Sequence, residues 1–167
     1  LMDNDNGKTN FHMEIEAHIM DDSEIDFLKK ARKGLFQFEI GVQSTNNKTL
    51  AAVSRNNDFE TLKHKVEKIK EGKNIHVHLD LIAGLPYEDY ESFGKSFNDV
   101  YSLDPEQLQL GFLKLLKGSG LRRDAEKYGI VYDSKAPYEV LYTKEIDFEH
   151  MLKLKAIEEM VETYRNS

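Results

Sequence analysis

The chain has 167 residues, 40% hydrophobic and 32% charged, which supports one buried core and argues against wholesale disorder. A formal net charge of -7 argues against a broad nucleic-acid footprint, and the absence of cysteine excludes disulfides, thiol catalysis and any cysteine-ligated metal or cluster in these residues. No apolar run reaches the ~18 residues of a membrane span, and the polar opening LMDNDNGKTN is unlike a signal peptide, so no membrane span and a cytoplasmic setting are expected.

FHMEIE (11–16) alternates, with Phe11, Met13 and Ile15 opposing His12, Glu14 and Glu16, which predicts a strand. MDDSEIDFLKKARKG follows with an acidic start, an Ile25/Leu28/Ala31 stripe and a basic, glycine-closed end, the marks of a helix. FQFEIGVQS (36–44) alternates again. TNNKTLAAVS predicts a short helix, and DFETLKHKVEKIKEGK a fuller one on Phe59, Leu62, Val66 and Ile69. IHVHLD places Ile75, Val77 and Leu79 against His76, His78 and Asp80, and YEDYESFGKSFNDVYSLDPE predicts a helix ending before Pro105. QLQLGFL (107–113) is a fourth alternating segment. Beyond it the pattern is less regular: one short helix, an extended stretch, then a helix over FEHMLKLKAIEEMVETYRNS. The basic stretches KKARK and KLLKGSGLRR read as polar helix faces or ends.

The order βα-βα-βα-β, with right-handed crossovers, predicts parallel strands in one sheet with helices on one side. Those helices must cover the apolar strand faces. The other faces, carrying His12, Glu14, Glu16, Gln37, Glu39, Gln43, His76, His78, Asp80, Gln107 and Gln109, then share one side. Burying that side under a second helical layer would carry a severe desolvation cost. A curved sheet turns it toward a lumen instead, so the expected fold is a parallel α/β partial (β/α) barrel with its site at the C-terminal strand ends. An antiparallel sheet with one solvated face is the plain alternative.

His76, His78 and Asp80 share one strand face but stand about 6.6 Å apart in succession, awkward for one zinc, and no HExxH or DxDxDG pattern is present. Glu14 and Glu39 are candidate general acids or bases, or satisfied carboxylates. Gly41 and Gly84 permit a close ligand approach or a tight turn. Arg55 is a surface arginine or a carboxylate clamp. Ser44 lacks a GxSxG setting, and neither GxGxxG nor GxxxxGK[ST] occurs.

Taken together and in order, FHMEIEAH, FEIGVQSTNNKTLAAVSRN, IHVHLDLIAGLP and QLQLGFLKLLKGSGLR resemble the middle and late parts of a radical S-adenosylmethionine domain. The nearest branches are oxygen-independent coproporphyrinogen oxidase and cobalamin-binding proteins labelled magnesium-protoporphyrin monomethyl ester cyclase-like. The resemblance spans about residues 11–123 and implies a partial barrel. It also implies a [4Fe-4S] cluster that cleaves S-adenosylmethionine to a 5'-deoxyadenosyl radical, which abstracts hydrogen from a small-molecule substrate. By motif, Glu14 would lie near the methionine end of the cofactor, Gln43 beside it, Arg55 on its carboxylate and Asp80 on its ribose. Gly41 and Gly84 would keep backbone out of its space.

The family's CxxxCxxC motif is missing. Since the chain opens on Leu with a strand pattern at Phe11, it is expected to be a piece of a longer enzyme without the N-terminal half of the barrel. It would be inactive alone and edge-exposed at strand 11–16, where two copies could pair. Residues 1–123 would form the barrel part and 124–167 a C-terminal extension. Any cobalamin would belong to an upstream domain. Two other readings stand: a complete β/α lyase, aldolase or hydrolase using Glu14, Glu39 or His78, and a non-catalytic binding module.

Overall fold

The computed structural model describes residues 1–55 and 58–166. Four strands, β1 (Phe11–Ile15), β2 (Phe36–Gln43), β3 (His76–Ala83) and β4 (Gln107–Phe112), form one parallel sheet in sequence order. The connecting helices are α1 (Asp22–Leu28), α2 (Asn47–Ala52), α3 (Phe59–Glu71) and α4 (Tyr90–Tyr101). All four strands run parallel, which removes the antiparallel alternative. This is the partial (β/α) barrel arrangement expected from the alternating strand faces.

Side-chain chemistry decides which sheet face the helices take. Val77, Leu79 and Leu81 of β3 are wholly buried, as are Val66 of α3 and Val100 of α4. Each aliphatic side chain so covered contributes about 1.5–3 kcal/mol. The helices begin where short polar side chains satisfy free amides: Asp21 caps α1 in a reciprocal box with Glu24, Asp58 caps α3, and Asp89 caps α4 in a box with Ser92.

Two helices stop short of their sequence patterns. α1 ends at Leu28 instead of running on to Gly34, because Asn74 Nδ2 donates to the carbonyls of Leu28 and Ala31, both at 3.0 Å, and turns the chain toward β2. α4 ends at Tyr101, and the chain enters Pro105 through Asp104 at φ 48°.

Beyond β4 the chain makes α5 (Gly120–Arg123), a small hairpin of β5 (Val131–Tyr132) and β6 (Val140–Tyr142), and α6 (Phe148–Tyr164). The hairpin is a separate two-stranded sheet tied to the segment after β4 by one antiparallel bridge, where Val140 N donates to Leu113 O and Leu115 N to Tyr138 O. α6 lies along β4 and buries Met151, Leu154 and Val161. Just past it, Asn166 imitates a neighbouring strand: its Oδ1 accepts from Leu108 N at 3.1 Å and its Nδ2 donates to Leu108 O at 2.9 Å. The other edge is different. Among the described residues no strand pairs with the outer side of β1. Beside it lies an apolar groove of about 620 Å³, lined in part by Ile15, Met20 and Leu28 and by Ile19 and Phe27, which are 73% and 56% exposed.

Candidate functional site

The sheet face away from the helices carries the polar half of each alternating strand. Register stacks it in rows across the sheet: His12, Gln37 and His76; then Glu14, Glu39, His78 and Gln107; then Gly41, Asp80 and Gln109. The rows sort by chemistry along the strands. Imidazoles gather toward the N-terminal ends, with the ring of His78 5.7 Å from His12 and 4.8 Å from His76. His12 Nε2 lies 2.9 Å from Glu39 Oε2, and Gln37 Nε2 lies 3.0 Å from His78 Nε2. Burial lowers the pKa of His78, and the two neighbouring imidazoles push it the same way. Among the described residues no group of three or more His, Cys, Asp or Glu is placed to hold a metal ion, so His76, His78 and Asp80 share a face without sharing a coordination sphere.

Toward the C-terminal ends the face opens into a cavity of about 360 Å³, lined by Glu14, Ile15, Glu16, Glu39, Gly41, Gln43, Arg55 and Asp80. Five positions singled out in the sequence (Glu14, Gly41, Gln43, Arg55 and Asp80) meet here. The sixth does not. Gly84, at φ 87°, lies beneath the C-terminal extension, where an added Cβ would come within 3.3 Å of Val140 and 3.4 Å of Met151. Its openness serves the packing of β6 and α6.

The cavity is anionic with one guanidinium at its rim. Arg55 Nη1 donates to Gly41 O at 3.1 Å and lies 3.3 Å from Glu16 Oε1, so this arginine is held across the end of β2 and not left in solvent. On the floor, burial raises the pKa of Asp80 to about 7, with Glu39 and then Glu14 adding like-charge repulsion. Asp80 Oδ1 and Gln43 Oε1 are both buried without a hydrogen-bond partner among the described residues. A Cβ at Gly41 would stand 2.3 Å from Gln43 Nε2, so any larger residue there would push the Gln43 amide aside. The amide of Gln43 therefore folds back over a bare stretch of β2.

Chemically, the cavity can accept a ligand with a cationic centre for its carboxylates, hydroxyl donors for Asp80, and a carboxylate for Arg55.

Sequence reasoning placed Glu16 on the polar face without giving it a role, and missed Glu88 and Ser96 entirely. Ser44 Oγ donates to Glu88 Oε1 at 2.5 Å and Ser96 Oγ to the same oxygen at 2.9 Å, all three side chains being buried behind the cavity. Ser44 is thus no accessible nucleophile. Glu88 sits in the polar run YEDYE, where nothing in composition marks one carboxylate as buried.

A model of the radical SAM superfamily matches residues 2–100, over half of the chain. The chain belongs to the radical SAM superfamily. Residues 126–167 match a second model, a protein of unknown function designated DUF4080. An uncharacterized protein of Bacillus subtilis, YtqA, is 26% identical over 75% of this chain and 39% of its own length. The oxygen-independent coproporphyrinogen III oxidase of Paracoccus denitrificans is 28% identical over 60% of this chain and 22% of its own length. The chain therefore spans well under half the length of these relatives. Among solved structures, coproporphyrinogen III oxidase (HemN) from Escherichia coli, a radical SAM enzyme, superposes with a TM-score of 0.65 at 19% identity, covering 91% of this chain and 32% of that one. That likeness is one of fold.

Proposed function

We propose that this chain forms the S-adenosylmethionine-facing wall of a radical SAM oxidoreductase, with the cofactor in the cavity at the C-terminal ends of β1–β3. The observation that carries the reading is the convergence there of Glu14, Gly41, Gln43, Arg55 and Asp80, two of them with buried oxygens that lack a partner among the described residues. Arg55 suits the methionine carboxylate, Glu14 and Glu16 the positive amino and sulfonium groups, and Asp80 the ribose hydroxyls. Bound S-adenosylmethionine would supply the 5'-deoxyadenosyl radical for hydrogen abstraction in the parent enzyme. The residues present do not fit the [4Fe-4S] cluster, because the chain has no cysteine to ligate it. The cluster ligands, and any cobalamin, would belong to other parts of a longer parent, and this piece would be catalytically silent.

Calorimetric titration of the purified chain with S-adenosylmethionine tests the cavity. Binding is expected, weakened about tenfold by Arg55→Ala or Asp80→Ala, the loss of one hydrogen bond to a charged group. Affinity unchanged from the unsubstituted chain in both variants sinks the assignment of these residues. Reductant-dependent cleavage of S-adenosylmethionine by the chain alone would overturn its catalytic silence.

A further inference from the structure

The cavity's Gln43 wall is strained, and its support comes from behind. Gln43 has φ 68°, a left-handed value costly for a residue with a Cβ, and Ser44 N donates to Val42 O at 2.9 Å, closing a tight three-residue turn around it. Such a conformation persists only where its surroundings over-determine it. Here each following residue is tied to α4 or to the loop before it. Ser44 Oγ donates to Glu88 and accepts from Asn46 N at 2.9 Å; Thr45 N donates to Ser96 Oγ at 3.1 Å and Thr45 Oγ1 to Asp99 at 2.8 Å; Asn46 Nδ2 donates to Tyr87 O at 3.2 Å. The hydroxyls of Ser44 and Ser96 converge on a single atom, Glu88 Oε1.

We propose that Glu88, outside the cavity, is the positioning residue of its Gln43 wall, holding segment 43–46 in the one backbone path that turns the Gln43 amide over Gly41. The side chain acts through Ser44 and Ser96 and touches no ligand. It rests on the S-adenosylmethionine reading only for what Gln43 then meets.

The setting of Glu88 disfavours its charged form. Glu88 is 1% exposed, its Oε2 has no partner among the described residues, and no cation hydrogen-bonds to it there. The charged groups around it are mostly of its own sign: Asp89 adjoins it in the chain, and Asp99 of α4 engages Thr45. Of the nearby lysines, Lys48 of α2 stands over the ring of Tyr87, 4.2 Å from its centroid, and Lys95 of α4 is exposed. Burial holds the Glu88 pKa above the usual carboxylate range, Asp89 adds to this, and the two serine hydroxyls oppose it.

Wild type, Glu88→Gln and Glu88→Leu separate positioning from bulk stability. Amide exchange of Ser44, Thr45 and Asn46, read at one matched pH, is expected to quicken at least tenfold in Glu88→Leu while circular dichroism stays native. Glu88→Gln keeps the acceptor and should retain wild-type protection. S-adenosylmethionine affinity should fall about tenfold in the leucine variant and be rescued by glutamine. Unchanged exchange in Glu88→Leu, or a glutamine variant as loose as the leucine one, overturns the proposal. If Glu88→Leu does not fold, Ser96→Ala takes its place with the same expected direction. Should wild type itself bind no S-adenosylmethionine, the cavity reading falls, and the exchange data decide the role of Glu88 by themselves.

Discussion

At the scale of single residues, the polar face is governed by how much charge one small cavity tolerates. Glu14, Glu39 and Asp80 crowd together with Arg55 at the rim, and Asp80 gives way by holding its proton up to about pH 7. A carboxyl group whose folded pKa lies above its unfolded value stabilises the fold most below the unfolded pKa of about 3.9, and that advantage fades as pH rises through 7. Asp80→Asn removes the loss. Its melting temperature should match wild type near pH 4 and exceed it above pH 7 by about 2–4 °C, the equivalent of about 1 kcal/mol after allowing for solvent screening in an open cavity. Thermal melts across that range check the sign. Entry of a cationic ligand should expel this proton, so binding heats measured at pH 6.5 are expected to vary with the ionisation enthalpy of the buffer. Gly41 is the second lever: Gly41→Ala should leave the core intact yet displace Gln43 and weaken S-adenosylmethionine binding by about tenfold, read by the same titration.

These residue-level features were legible to very different degrees. Alternation alone put Glu14, Glu39, His78 and Asp80 on one face, because a pleated strand has no other way to arrange them. Arg55 comes from a loop, and its reach back to Gly41 O could not be read from periodicity. Gly84 resembled Gly41 in sequence, but it faces β6 and α6, a contact between segments over fifty residues apart that no local pattern encodes. Glu88 was invisible for the same reason: its burial depends on Ser44 and Ser96 arriving from two other elements.

Among elements, the four strands and helices α2 and α3 follow their sequence patterns closely, and α4 misses its expected end by three residues. α1 departs further, cut short by Asn74 from the far end of α3. β1 is the vulnerable element. Its outer ladder is unpaired among the described residues and lies next to the groove bearing Ile19 and Phe27. Such an edge invites another strand. Light scattering at tens of micromolar should find a dimer, and Phe27→Glu should shift it to monomer; a monomeric wild type refutes the pairing. At the opposite edge, Asn166→Ala should cost about 1–2 kcal/mol in denaturant unfolding, because it strips both bonds from the Leu108 peptide.

For the molecule as a whole, the partition of apolar and polar strand faces sets both stability and site. One side of the sheet makes a continuous core from β2 and β3 to α3, α4 and α6, and the other is left free for ligand chemistry. The apolar half of that partition tolerates change far less than the polar half. Leu79→Ala should lose about 2–5 kcal/mol of stability in denaturant unfolding. Substitutions on the opposite face, such as His76→Gln, should be nearly neutral.

The clasp of Asn166 on Leu108 has a further consequence for assembly. A sheet with both flanks bare could recruit copy after copy and grow into a fibre. Here Asn166 already occupies one flank, so among the described residues the sheet offers one open flank, that of β1. Two molecules that meet there use up both offers, and the association ends as a closed pair.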